Sequence, residues 1–281
     1  MGDFADYLSS PFVLRAFVAL LLAAANAALS GAFASFRNST FLISGASHAA
    51  LGGAALVIVL EVNGIVAGVD PLIGAAVFAV VLALLAAHAS ARGQHADVDV
   101  TIGVGFALAM AVAVLLISLV PESASRVWGL LMGDLLLVSS EELMLVTALT
   151  LVVALTFFVF RREFLFVTFD MEGAKAFGIR ATRYNYVLFA LIGLSAAILV
   201  KSIGAILVFA MLSAPAATAL RIAKSVGTAM WLAFGFALLA GILGILVSYA
   251  TGFSVSALSA FFAAGAYFVV RAVQWESGPN E

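Results

Sequence analysis

Long stretches without Asp, Glu, Lys or Arg follow one another along the chain, separated by short polar segments. Such runs cover residues 16–36, 38–60, 71–91, 100–121, 143–160, 184–200 and 202–220. A further run, 225–270, is too long for one helix and is predicted to divide at the polar stretch Tyr249–Ser256. Since a spanning helix needs about 20 apolar residues, the pattern predicts about 8–9 transmembrane helices. It leaves open whether 184–200 or 202–220 is a partial, re-entrant helix.

The composition agrees with a membrane protein, because 65% of the residues are hydrophobic and only 10% are charged. Soluble domains carry about 25% charged residues. The apolar segments do not alternate with polar positions as the strands of a transmembrane barrel do. The predicted fold class is therefore all-α, a polytopic transmembrane helical bundle with residues 1–281 in a single domain. The absence of cysteine excludes disulfides and thiolate metal sites.

The basic residues predict the orientation, because Lys and Arg collect in cytoplasmic loops. With the N-terminus outside and the C-terminus in the cytoplasm, all thirteen fall on the inner side except Arg15, Arg126 and Lys201. Residues 1–11 contain no Lys or Arg, so no removable signal peptide is predicted. The expected location is the cell membrane, inner or plasma, in contact with the lipid bilayer. No nucleic-acid partner is expected.

The segment 161–183 is the most informative predicted loop, since it interleaves five basic residues with acidic and apolar ones. Asp170 is positioned to cap a short helix whose first turn carries Glu172, and Gly178 is placed to end it. Such a helix either lies on the bilayer surface or docks a cytoplasmic partner. The chain has no phosphate-binding loop of the G-x-x-x-x-G-K-[ST] type, so any ATP hydrolysis must come from another polypeptide.

Five sequence blocks, taken together and in order, resemble one family. They are FRNSTFLISGASHAALGG at Phe36–Gly53, DVTIG at Asp99–Gly103, LMGDLLLVSSEEL at Leu131–Leu143, FDMEGAKAFG at Phe169–Gly178 and KSIGAILVFAMLSAPAATA at Lys201–Ala219. They are similar to elements of the ABC-3 family, the permease subunits of ATP-driven importers of zinc, manganese and iron. The resemblance covers roughly residues 12–272.

The resemblance implies a permease like those of type II ABC importers, which is not itself an enzyme. A second copy of the chain would complete the translocation pathway, a cytoplasmic ABC ATPase would supply energy, and an extracytoplasmic metal-binding protein would deliver the ion. No permanently bound cofactor is implied, only a transported divalent metal ion. The segment 161–183 would be the coupling loop. Its expected contributors to ATPase coupling are Phe169, Asp170, Glu172, Ala174 and Gly178.

His48 is the candidate residue of the metal path, where it would bind the ion transiently. Imidazole is a ligand for zinc, manganese and iron, and the family places an Asp four residues before this His, on the same helix face. Here that position is Ser44, so the carboxylate is missing, and the sequence leaves open whether Asp134 or Glu141 supplies the charge. Ser44 and Ser47 are weaker candidates for the same path.

Other features leave alternatives open. Lys201 either pairs with an acid across helices or reaches the outer interface. Pro215 is predicted to kink its helix, because proline removes a backbone hydrogen bond. The alternative function is a secondary transporter of a metal or another small solute. Such a protein is expected to carry intramembrane carboxylates, and the uncharged runs have none.

Overall fold

A computed structural model describes residues 4–91, 95–119, 129, 133 and 135–276. Within these residues, nine helices are long and apolar enough to cross a membrane. The helices are α1 (Phe4–Ser9), α2 (Pro11–Asn26), α3 (Ala32–Phe36), α4 (Phe41–Val62), α5 (Pro71–Ala91), α6 (His95–Leu119), α7 (Ser140–Val159), α8 (Arg161–Phe169), α9 (Met171–Ala176), α10 (Ala181–Ile203), α11 (Ala205–Ile222), α12 (Val226–Thr251) and α13 (Val255–Glu276). The all-α transmembrane bundle predicted from the hydrophobic runs is confirmed.

The ends of the spans follow local sequence signals. Ser10 caps α2 ahead of a proline at the first helical position. Ser139 and Glu142 form a reciprocal capping box at the start of α7. The long run 225–270 divides where expected: α12 ends at Thr251, and Gly252 adopts the left-handed conformation.

The two shortest predicted segments are both full helices. They are α10 and α11, which meet at Gly204, a residue with a φ of 81°. At 18 residues, α11 is the shorter of the two. Neither segment is the re-entrant half-helix that the sequence left open.

The first span is irregular near its middle. A π turn, Ala27–Gly31, joins α2 to α3. A side chain at Gly31 would collide with the carbonyl oxygen of Leu212, so the two backbones approach closely there. Ser30 also forms a hydrogen bond with Ser195 of α10, at 2.7 Å. The first span therefore packs tightly against α10 and α11.

The innermost helices are α4 and α10, whose apolar stretches are 89% and 72% buried, against 22% for α6, α7 and α13. Small residues let α4 pack this closely. Gly53 of α4 and Gly74 of α5 face each other with no room for a Cβ on either. Since α4 contacts α5, α6, α10 and α11, it lies at the centre of one half of the bundle.

An ion pair between Lys201 and Asp70 lies at one end of the bundle, which we call the Lys201 end. Lys201 Nζ, at the end of α10, lies 2.7 Å from Asp70 Oδ2 and 4.0 Å from Glu142 Oε1. Partial burial acts to raise the pKa of the Asp70 carboxyl, but hydrogen bonds from Lys201 and from Leu72 N–H outweigh it, so the pKa is lowered. Lys201 thus pairs with acids across helices, one of the two roles that the sequence allowed.

Candidate functional site

His48 lies on the partly open side of the innermost helix. Along α4, Phe41, Ser44, His48 and Leu56 recur at helical spacing, and Phe41 and the half-buried His48 and Leu56 remain accessible. We call this row the His48 face. The imidazole packs edge-on against Phe106 of α6, with ring centroids 4.6 Å apart. The face therefore combines one imidazole with an apolar surround.

The imidazole is oriented by its own helix. His48 Nδ1 lies 2.8 Å from the carbonyl oxygen of Ser44. Because a carbonyl only accepts, Nδ1 donates in this contact, and in the neutral form of the ring the free lone pair is then on Nε2. A histidine that donates its second ring N–H to a backbone carbonyl is the usual arrangement of a metal-binding imidazole. The geometry is therefore suited to a single Nε2–metal bond.

Ser47 does not share this face. It is fully buried, and its hydroxyl donates to the carbonyl oxygen of Ile43 at 2.7 Å. Ser44 is 7% exposed and lies one turn before His48 on the same side of α4. The structure thus brings together two of the three predicted path residues and separates the third.

The missing carboxylate is not replaced from elsewhere in the described residues. Glu141 lies in the first turn of α7, at the Lys201 end of the bundle, whereas His48 lies in the first half of α4, on the side away from that end. Asp134 lies outside the described residues. No group of three or more His, Cys, Asp or Glu side chains comes together in the described part of the chain. Within one copy, the candidate site is therefore one imidazole and one hydroxyl.

The segment 161–183 contains two short helices, α8 and α9, at the end of the bundle opposite the Lys201 end, which we call the docking end. Phe164 of α8 is fully buried and packs against Phe157 of α7, with ring centroids 5.4 Å apart. This anchors α8 in the bundle. Ala174 of α9 is also fully buried, against Val167 of α8 and Ala181 of α10. Helix α9 is thereby held against α8 and α10.

The caps predicted for the short helix are present. Asp170 Oδ1 accepts a hydrogen bond from Gly173 N–H at 2.7 Å. After α9, Gly178 has a φ of 78°, Gly178 N–H donates to Lys175 O, and Ile179 N–H donates to Ala174 O. This pair of bonds is the Schellman motif, which requires a left-handed residue such as glycine. Sequence alone therefore predicts the local geometry of α9.

The outer face of this unit is exposed and mixed in character. The exposed fractions are 61% for Phe169, 80% for Phe177 and 85% for the Glu172 side chain. Large exposed apolar side chains are typical of a surface that meets a protein partner or the membrane, the two alternatives that the sequence left open for this segment. We call Phe169, Glu172 and Phe177 the docking face.

Arg37 connects α8, beside the docking face, to the start of α4, the helix that carries His48. The sequence alone did not indicate this role. From the turn between α3 and α4, Arg37 donates to Val167 O of α8 at 3.0 Å and to Ser90 Oγ of α5 at 2.9 Å. Its guanidinium also lies 5.3 Å from the ring centroid of Phe189. Burial lowers the pKa of Arg37 to about 10, so it remains charged at neutral pH. The sequence signal was a lone basic residue in a short turn between two spans.

Pro215 lies inside α11, where it is buried one turn after Leu212, the residue whose carbonyl oxygen meets Gly31. The proline and the π turn of the first span are thus near one another on two adjacent helices. The predicted kink remains a prediction.

Comparisons with known proteins agree on one kind of protein. Residues 9–274 match the ABC 3 transport family. The manganese import system permease protein ScaB of Streptococcus gordonii is 28% identical over 262 residues, covering 92% of this chain and 91% of that protein. The manganese transport system membrane protein MntC of Halalkalibacterium halodurans is 29% identical over 269 residues, covering 94% and 89%.

The fold is also similar to a solved structure. PsaBC from Streptococcus pneumoniae in complex with Fab superimposes with a TM-score of 0.81 at 25% sequence identity, covering 98% of this chain and all of that one. The similarity extends over nearly the whole bundle, including the helices that hold His48 and the docking face.

Proposed function

Because the chain belongs to the ABC 3 transport family, we propose that it is the membrane-spanning permease subunit of an ATP-driven importer of a divalent transition metal. The observation that carries the proposal is the family match over residues 9–274, which covers the described spanning helices except the last residue of the final span. Manganese is the first candidate, since ScaB and MntC are named for its transport. Zinc and iron are the other candidates.

In this proposal a cytoplasmic ATPase binds the docking face. The exposed Phe169 and Phe177 would fill apolar pockets of the ATPase, and Glu172 would meet a basic group. Asp170, Ala174 and Gly178 support the surface by fixing α9 against α8. ATP binding can drive the bundle between two states only if the ATPase binds those states with different affinities.

A second copy would complete the pathway. If two copies meet through their His48 faces, two imidazoles and two Ser44 hydroxyls face one another. Such a site has few ligands, which suits transient binding, whereas a closed structural site usually has four protein ligands. An extracytoplasmic metal-binding protein would deliver the ion at the Lys201 end.

The proposed orientation places the N-terminus outside and the C-terminus in the cytoplasm of the cell membrane. It is supported by Arg37, Arg161 and Arg162, which lie at the docking end, as the rule for cytoplasmic basic residues requires. Arg15 and Lys201 are the described exceptions, and each is held at the other end, by Val138 O and Asp70 respectively.

A secondary transporter is less well supported. The acidic side chains of the described spans lie at their ends, as Glu61 does in α4 and Glu142 does in α7. Ion-coupled transporters are expected to place such groups within the membrane.

The test is accumulation of Mn, Zn and Fe in cells that produce the chain with its ATPase. We expect uptake of one metal to fall strongly with His48→Ala, while the complex still assembles. Glu172→Ala is expected to reduce both uptake and ATPase co-purification. His88→Ala, which removes an exposed imidazole away from the His48 face, is the matched control for uptake. Glu141→Ala, which removes an exposed carboxylate at the opposite end from the docking face, is the matched control for ATPase co-purification. The proposal is wrong if no metal accumulates and no ATPase co-purifies with the wild type.

A further inference from the structure

A groove of about 910 Å³ lies at the docking end of the bundle, on its outer surface. Its walls come from the second half of the first span, the end of α7 and the start of α12, and α8 forms its edge. The volume falls within the range of roughly 300–1,000 Å³ that is typical of small-molecule sites. The groove is therefore large enough to hold part of an organic ligand.

The chemistry of the groove changes along its length. The interior is apolar, with Leu29, Phe33 and Phe157 among its lining residues. Arg161 and Arg162 line the groove where α8 forms its edge. Both are exposed, and neither has an ion-pair partner among the described residues. The described lining contains no acidic side chain, so the edge presents two basic residues beside an apolar slot.

The rim has the character of a membrane interface. Trp231 is 76% exposed and Phe158 is 72% exposed, and both line the groove. Tryptophan is enriched where the hydrocarbon region meets the headgroups. The groove therefore runs from headgroup depth, at the arginines, into the hydrocarbon region.

We propose that this groove binds an anionic phospholipid, with an acyl chain in the apolar slot and the phosphate-containing headgroup on Arg161 and Arg162. Charge complementarity selects the occupant, because basic pockets between transmembrane helices at the cytoplasmic side bind anionic headgroups. Assignment to the cytoplasmic leaflet rests on the orientation proposed above.

A second copy of the chain fits the groove less well. Two copies would bring four arginines together in a low-dielectric environment without counter-charges. The groove is also formed by the second half of the first span, α7, α8 and α12, whereas the His48 face belongs to α4, whose main neighbours are α5, α6, α10 and α11. The lipid occupant leaves the His48 face available for the homodimer.

The test is a lipid titration of the full-length chain in nonionic detergent, followed by native mass spectrometry. The probes are dioleoyl phosphatidylglycerol and dioleoyl phosphatidylcholine, which share acyl chains and differ in headgroup charge. Each arginine near the anionic headgroup is expected to strengthen lipid binding. The double variant Arg161→Gln/Arg162→Gln, which lacks both charges, should therefore bind phosphatidylglycerol about 30-fold more weakly than the wild type. Circular dichroism and size-exclusion chromatography check that the variant is folded.

The matched control is Arg180→Gln/Arg183→Gln, which removes two exposed arginines from the same end of the bundle but outside the groove. It is expected to bind phosphatidylglycerol as the wild type does. Equal binding of the two lipids by the wild type, or equal loss in both double variants, would overturn the proposal. So would a change from dimer to monomer in Arg161→Gln/Arg162→Gln, which would assign the groove to a second copy. The lipid titration does not depend on metal uptake. Failure of the lipid proposal is therefore distinguishable from failure of the proposed importer function.

Discussion

At the scale of single residues, Ser44 is the most informative position, because it lies one helical turn before His48 and fixes the imidazole through its backbone carbonyl. Its side chain is a neutral hydroxyl, which attracts a dication less strongly than a carboxylate does. The backbone contact does not depend on that side chain. Substitution at Ser44 should therefore change the charge of the site while leaving the orientation of His48 intact.

We predict that Ser44→Asp tightens binding of Mn²⁺ to the assembled importer. A carboxylate about 4 Å from a divalent ion attracts it by about 2 kcal/mol even at the dielectric constant of water, so roughly 30-fold tighter binding is expected. Isothermal titration calorimetry on the purified complex measures the effect. Tighter binding is expected to slow release of the ion, so transport turnover should fall.

Ser44→Asn is the matched control, since the asparagine side chain has nearly the same shape as that of aspartate but carries no charge. It should leave Mn²⁺ affinity close to that of the wild type. In a His48→Ala background, the gain from Ser44→Asp should largely disappear, because the imidazole is then lost. An equal gain with and without His48 would mean that the two residues do not act on one ion.

Residue-level geometry also shows where sequence reasoning stops. The i, i+4 spacing of Ser44 and His48 was enough to place them on one face. Ser47 precedes His48 by a single position and turns into the core, where its hydroxyl bonds to Ile43 O. Which of several small residues faces inward depends on packing against α5, α6, α10 and α11, and the apolar sequence of α4 gives no periodic signal for it.

At the scale of elements, the proposed importer function requires that motion at the docking face be transmitted to α4. Arg37 offers a direct connection, since it joins the α3–α4 turn to Val167 O of α8 and Ser90 Oγ of α5. Guanidinium presents donors in a fixed fork, whereas lysine has a single ammonium. Lysine in this place would keep the charge and is expected to satisfy only one of the two acceptors.

We therefore predict that Arg37→Lys lowers metal uptake per ATP hydrolysed while the complex still assembles. The lost hydrogen bond to a charged group is expected to weaken the connection by roughly 1.5–3 kcal/mol. Uptake and ATPase rates measured on the same proteoliposomes give the ratio. Arg15→Lys is the matched control, because Arg15 also donates to a backbone carbonyl, Val138 O, but at the opposite end. Equal ratios for both variants and the wild type would contradict a coupling role for Arg37.

Elements with strong local signals could be predicted from sequence, and elements that depend on distant contacts could not. The end of α12 and the cap of α9 follow from Gly252 and Asp170, whose preferences are local. The π turn at Ala27–Gly31 has no such signal. It lies where Gly31 meets Leu212, a contact between positions far apart in the sequence.

At the scale of the whole molecule, the surfaces have different expected neighbours. The docking face is exposed at one end for an ATPase, the groove near Arg161 suits a lipid, and the His48 face is expected to meet a second copy. The sequence supplied the spans and their order, but all the spans are apolar. It could not distinguish a helix face that meets lipid from one that meets protein.

The last prediction concerns that second copy. Cross-linking is favourable here because the chain has no cysteine. Phe41 is 45% exposed and lies on the His48 face, two helical turns before His48. If two copies meet there, Phe41→Cys should form a covalent dimer with a short bismaleimide in membranes, visible as a doubled mass on a denaturing gel. Leu151→Cys, 63% exposed on α7, should remain monomeric because α7 is not among the main neighbours of α4. A dimer from Leu151→Cys alone would move the interface to the α7 side, and His48 would then lie outside a pathway shared by two copies.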